Sequence, residues 1–366
     1  MQILAIAAAM AAVCALHPIP MHGARHRGDL FSIALGISSP SYQKYSRALN
    51  SPVFTSLVPV GLFIAIGFLA ARLEWIRAAS VKDLSNLVFM VLTPALLFRT
   101  MSTVHIETLD FGPVGIYFVA AALVFAATLA LQGFATLAAA RALAYTFGNT
   151  IMIGVPLIGL AFGEAGLVTL FTLISVHALV LLTGATVVFE MAAARERAHT
   201  PGQPKPHMLR TVLQAVKNGI LHPVPLPIII GLLFAQTGLA LPTVVDKPLQ
   251  LLGQALGPLA LLLVGVTLAF SKVGSNFRPA LRVALIKSLV FPLVLGSLGM
   301  ALGFGGPALA VLVVTASLPI GANVFLFAQR YNVAEAEVTA SIAVSTAMAL
   351  VTLPVVMFLV SRFVTA

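Results

Sequence analysis

Long apolar runs separated by short polar stretches dominate the chain from about residue 53 to its end. A helix crossing about 30 Å of hydrocarbon needs roughly 20 mostly apolar residues. By that measure the pattern predicts ten spans, at about 53–72, 84–102, 112–139, 143–162, 165–191, 219–239, 248–271, 283–303, 307–329 and 334–361. Several contain Gly or Pro, which membrane helices tolerate where neighbours satisfy the freed backbone groups. The longest polar stretch of this body, 193–218, divides it into five spans before and five after. The expected organisation is therefore a first five-helix unit over 51–192, a basic linker over 193–218 and a second five-helix unit over 219–366.

Residues 1–50 fit this pattern less well. Met1 to Leu16 is a 16-residue apolar run, short for a span, and it lacks the basic start of a signal peptide. An atypical leader or N-terminal extension is the expectation, with an eleventh span as the alternative.

Composition narrows the class. The 366 residues are 60% hydrophobic and only 9% charged, with a mean hydropathy of +1.04, whereas soluble domains carry roughly 25% charged residues. An all-α polytopic membrane protein is expected, with the lipid bilayer as its surroundings. Twenty-one Lys and Arg against eleven Asp and Glu give +10. In water that surplus would point to nucleic acid, but in a membrane protein basic charge reports orientation, and no nucleic-acid partner is expected.

Thirteen of the basic residues fall in one set of alternate loops: Arg72, Arg77, Lys82, Arg141, Arg195, Arg197, Lys205, Arg210, Lys217, Lys272, Arg278, Arg282 and Arg330. The opposite set, with the C-terminal tip, has three: Arg99, Lys247 and Arg362. The bias predicts a cytoplasmic 193–218 linker and both ends of the ten-helix body outside the cell membrane.

The two halves share spaced prolines and glycines. Pro59 and Gly67 recur as Pro223 and Gly231, and Pro94 recurs as Pro258, at one offset of 164; Pro156 has Pro319 at an offset of 163. Five spans per copy is odd, so two copies would lie in the membrane with opposite orientation, the inverted repeat of many secondary transporters. Such folds bind substrate near the midplane, where paired helices are broken. The fourth span carries Gly148, Asn149, Thr150, Gly154 and Pro156, and the ninth carries Pro319, Gly321 and Asn323. Pro removes a backbone donor, Gly permits departure from helical dihedrals, and Asn offers both donor and acceptor to the opening. Freed N–H groups of a half-helix carry partial positive charge and favour an anion. Pro and Gly also kink membrane helices routinely; two such breaks at matching positions, each with an amide, point instead to a binding site. Asn149, Thr150, Gly154, Pro156, Pro319, Gly321 and Asn323 are the candidate substrate-binding residues.

These segments resemble the auxin efflux carrier family, which includes plant PIN-type carriers and bacterial organic-acid permeases. Gly148-Asn149-Thr150 with Gly154-Val155-Pro156-Leu157 and Phe162-Gly163 resembles the family's fourth-helix signature, and Leu318-Pro319-Ile320-Gly321 with Phe325 to Ala328 and Tyr331 its ninth. Leu92 to Phe98 and Leu256 to Leu268 are similar to its second and seventh helices. The resemblance implies a scaffold of helices 1, 2, 6 and 7, a moving transport domain, an elevator-type motion and a homodimer formed through the scaffold. It also implies that helices 4 and 9 cross at Pro156 and Pro319 beside the substrate. The short 193–218 linker is similar to the bacterial branch, whose members are linked to small carboxylates such as malate or malonate.

No Asp or Glu lies in the middle of a span, although a buried carboxylate is the commonest proton relay or sodium ligand in transporters. His177 is the one mid-span ionisable group, open to reading as a proton switch or as a neutral imidazole satisfied by a neighbouring helix. Lys287, about one turn into the eighth span, is expected to snorkel to the interface; the other reading has it draw an anion inward. Cys14 alone excludes a multi-Cys metal or redox site, and no hydrolase elbow, zinc-helix or phosphate-loop motif is present. No enzyme activity, metal or cofactor is expected. The sequence points to a secondary active transporter of a small organic anion, with an uncoupled uniporter or channel as the alternative.

Overall fold

The computed structural model describes residues 52–104, 107, 109–197, 213, 224–271 and 273–363. The expected leader over 1–50, Pro223 and most of the 193–218 linker lie outside the described residues.

Among the described residues the protein is helical. In chain order, α1 is Pro52–Arg72, α2 Ser80–Met101, α3 Phe111–Gln132, α4 Thr136–Thr146, α5 Val155–Arg197, α6 Pro225–Ala235, α7 Thr243–Phe270, α8 Phe277–Ala301, α9 Gly306–Ala316, α10 Asn323–Arg330 and α11 Glu335–Phe363. Six apolar helical stretches among the described residues are long enough to cross a membrane: α2, α3, Thr150–Glu196, α7, α8 and most of α11. The apolar part of α1, α6 and α9 are shorter. The ninth expected span falls short because it is cut in two between α9 and α10, and the fourth is cut between α4 and Thr150.

Proline chemistry explains local geometry at three places. Five-residue π turns occupy Val88–Leu92 in α2, Thr150–Gly154 before α5 and Ile286–Val290 in α8, and each is followed two residues later by Pro94, Pro156 or Pro292. A proline ring crowds the carbonyl four residues back, and a widened turn accommodates it. In α2 the Thr93 hydroxyl donates to the Val88 carbonyl at 2.7 Å, satisfying one acceptor in the widened turn. α5 is broken once more at Gly163, whose φ of +63° is open to glycine at little cost.

The third span ends earlier than the pattern predicts. Gly133, with φ of +88°, stops α3 after Gln132, and α4 then starts at Thr136. Arg141 therefore lies inside α4 rather than in a loop, where its guanidinium donates to both oxygens of Glu337 on α11 at 2.8 and 2.9 Å.

α1, α2, α6 and α7 pack on one another, with α1 against α7 and α2 against both α6 and α7. Between apolar helices in lipid, close backbone approach replaces the hydrophobic drive as a source of attraction. A Cβ on Gly67 would collide with the Leu262 carbonyl of α7, and one on Gly231 would stand 2.8 Å from the Phe98 carbonyl of α2. Gly67 and Gly231 differ by 164 in number, and so do Phe98 and Leu262. The two glycines thus make matching contacts, each against the other half of the chain. Arg99 and Asp246 add a bidentate ion pair between α2 and α7, at 2.7 and 3.2 Å.

The other helices gather around the two chain breaks. α3 packs on α4 and α8, α9 on α5 and α8, and α11 on α8 and α9. Tyr117, Phe171, Phe291, Leu143 and Ile153 are among the fully buried side chains of this core.

Candidate functional site

The two breaks meet. α4 ends at Thr146, and Phe147 turns the chain to extended geometry with φ −92° and ψ 110°. α9 ends at Ala316, because Pro319 cannot donate and pushes the residue before it away from helical dihedrals. Gly148 and Ile320 then form a short antiparallel bridge. The Asn149 N–H donates to the Pro319 carbonyl at 2.8 Å, and the Gly321 N–H donates to the Phe147 carbonyl at 3.0 Å. Backbone groups that would be orphaned in a membrane interior satisfy each other here. A third element holds the bridge: the Ile320 N–H donates to Ser345 Oγ of α11 at 3.1 Å.

Glycine is required for this approach. A Cβ on Gly321 would stand 2.8 Å from the Phe147 ring and 2.9 Å from the Gly148 carbonyl. Gly154 plays a packing part, since a Cβ there would stand 2.8 Å from Leu318.

Beside the bridge lies a cavity of about 240 Å³. Asn149, Thr150, Ile151 and Met152 line one side, Gly321, Ala322 and Asn323 another, and His177 a third. The first residues after each break thus border one space, and helix starts present N–H groups with partial positive charge. Asn149 caps its own turn, its Oδ1 accepting from the Met152 N–H at 3.2 Å, which leaves its Nδ2 without a partner among the described residues. The Asn323 side chain likewise makes no hydrogen bond to any described residue.

Of the residues singled out in the sequence, Asn149, Thr150, Gly321, Asn323 and His177 line this cavity. Pro319 lies in the bridge itself. Pro156 does not come to the crossing: it follows the π turn and packs against α7, 3.5 Å from the Cβ position of Gly257. The expected crossing at Pro156 falls at Gly148 and Asn149 instead, because the helix yields upstream of the widened turn that the proline imposes.

His177 is 2% exposed. Its ring stacks on Phe147 with centroids 4.7 Å apart, and its Nε2 lies 3.3 Å from the Tyr117 hydroxyl of α3. Phe291 of α8 packs edge-on against Tyr117 at 5.3 Å.

The sequence pattern also misplaces Lys287. It is wholly buried rather than snorkelling. Its Nζ donates to the carbonyl of Ala316, the last residue of α9, and lies 5.2 Å from the Phe291 ring centroid. A Cβ on Gly148 would stand 3.3 Å from that Nζ. The signal was present as a lysine inside a span with Pro292 five residues on, but its direction depends on a carbonyl contributed by another helix. The neighbouring Ser288 Oγ is buried and has no partner among the described residues.

Residues 52–357 match the family described as "Membrane transport protein". The chain belongs to that family. It is 29% identical over 318 residues to the "Putative malonate transporter" of Rhizobium meliloti (strain 1021), covering 83% of this chain and 94% of that one. It is 22% identical over 221 residues to "Auxin efflux carrier component 8" of Arabidopsis thaliana, covering 50% and 60%. This membrane transport protein therefore presents its cavity at the junction of two interrupted helices, with a buried lysine behind it.

Proposed function

We propose that the protein is a secondary active transporter of a small organic anion, a carboxylate such as malate or malonate, across the cell membrane. The observation that carries this reading is the cavity at the bridge, where amides of Asn149 and Asn323 and the starts of two helices converge. No described lining residue is acidic, and the helix starts favour negative charge. Its size suits a small acid better than a drug-sized ligand. The relative named for malonate supports a carboxylate as cargo.

The body is read as ten membrane-crossing segments in two inverted five-helix repeats. The matched pair of contacts, Gly67 on Leu262 and Gly231 on Phe98, supports that reading. α1, α2, α6 and α7 would form the scaffold and dimer contact, and the helices around the bridge the elevator. The charge bias favours a cytoplasmic linker. His177 is the one ionisable side chain lining the cavity among the described residues, which makes it the candidate for a coupled proton.

Uptake of labelled malonate into proteoliposomes tests the function. Saturable uptake, accelerated by unlabelled malonate on the opposite side, is expected. Linear uptake without trans-stimulation would replace the carrier with a channel, and no carboxylate uptake would reject the reading.

A further inference from the structure

We infer that the Lys287 ammonium group is a tethered substitute for a coupling cation, fixed at the end of α9 and lending its charge to the anion site through the notch left by Gly148. The inference rests on the anion-transport reading above and names what selects the anion.

Three observations carry it. First, place. In transporters with broken helices, the C-terminal ends of half-helices and the unwound carbonyls beside them hold the coupling ion. α9 is such a half-helix, and the carbonyl of its last residue, Ala316, accepts from Lys287 Nζ. An ammonium with three donors fills the position a mobile cation would otherwise take.

Second, burial without an acid. Lys287 is fully buried, and no ion pair of Lys287 exists among the described residues. Removing an ammonium from water is costly, so an intramembrane charge of this kind marks a functional site. Its compensation here is the Ala316 carbonyl and the face of Phe291, both of which favour a cation. Neither carries a full negative charge, so a carboxylate in the cavity would supply the counter-ion that no described residue does.

Third, access. Lys287 does not line the cavity, but Gly148 does. A Cβ at Gly148 would stand 3.3 Å from Nζ, so the charge approaches the cavity wall where a side chain would otherwise intervene. In an interior of low effective dielectric, such a charge acts across several ångströms.

The π turn explains how the sequence achieves this. Pro292 widens Ile286–Val290, and the widened turn buries Lys287 and Ser288 together instead of presenting the lysine to lipid.

The test uses the full-length protein in proteoliposomes, with malonate as probe. Wild-type uptake is expected to persist unchanged when choline replaces sodium; a sodium requirement would overturn the inference. Lys287→Met is expected to weaken malonate binding, read by thermal-shift titration, by about tenfold or more. Lys287→Arg is expected to recover binding relative to Lys287→Met, because it restores charge rather than shape. Binding by Lys287→Met equal to the wild type would also overturn it. Should Lys287→Met fail to fold, Lys287→Gln takes its place in the titration, and the sodium substitution on the wild type still decides. A wild type that neither binds nor carries any small carboxylate rejects the transport reading itself, an outcome distinct from a binding-competent wild type and an undiminished variant.

Discussion

The Asn149 N–H donates to the Pro319 carbonyl at 2.8 Å, closing the gap between two helix breaks 170 residues apart in sequence. The bond makes one site of two interruptions. The side chains of Asn149 and Asn323 take no part in it, and both line the cavity beside it.

That division predicts the behaviour of the two amides. Asn149→Ala removes the acceptor for the Met152 N–H, a loss of about 1 kcal/mol by the usual worth of a cap, and Asn323→Ala removes no hydrogen bond to a described residue. Both variants are expected to reach the membrane folded and to lose malonate uptake. Size-exclusion profiles and proteoliposome uptake check this, and unchanged uptake in both would move the site elsewhere.

His177 contacts Phe147 and Tyr117 and lines the cavity. If it carries the coupled proton, His177→Gln keeps a hydrogen-bonding group but removes the titration. The expected result is uptake that loses the pH dependence shown by the wild type. A profile of unaltered shape would clear His177 of that role.

The crossing of α1 on α7 leaves no room for a side chain at Gly67. Gly67→Val and Gly231→Val are each expected to cost about 1–3 kcal/mol through overpacking, seen as lower thermal stability in detergent. Gly184→Ala is the control, because nothing lies within 4 Å of its Cβ position, and its stability should hold or rise slightly.

Arg141 and Glu337 share a bidentate pair with side-chain exposures of 30% and 15%. Arg141→Ala is expected to cost roughly 2 kcal/mol, the scale of hydrogen bonds to charged groups. The exchange Arg141→Glu with Glu337→Arg should recover much of that in a melting experiment, and no recovery would show that the pair's surroundings, not the pair, set the stability.

Much of this architecture was legible along the chain. The apolar runs announced a helical body, because length and hydropathy are local properties. Gly148-Asn149 and Pro319-Ile320-Gly321 announced where helices four and nine stop, because backbone dihedrals and missing donors are local too. Arg141 was harder: its place in a helix turned on Gly133 ending α3 early, a boundary that hydropathy blurs.

Position across space was another matter. From one span alone, a lysine a turn from the end belongs at the interface, because water there is close and cheap to reach. Lys287 is buried because Pro292 widens its turn and because Ala316, 29 residues on, ends a helix with its carbonyl open at that spot. Pro156 shows the converse, a residue that drives a break without standing in it. By itself the sequence determined an apolar helical chain with two polar interruptions. Only the tertiary structure decided that the interruptions meet and that a lysine stands behind them, since hydrogen bonds between distant segments depend on packing that no single span encodes.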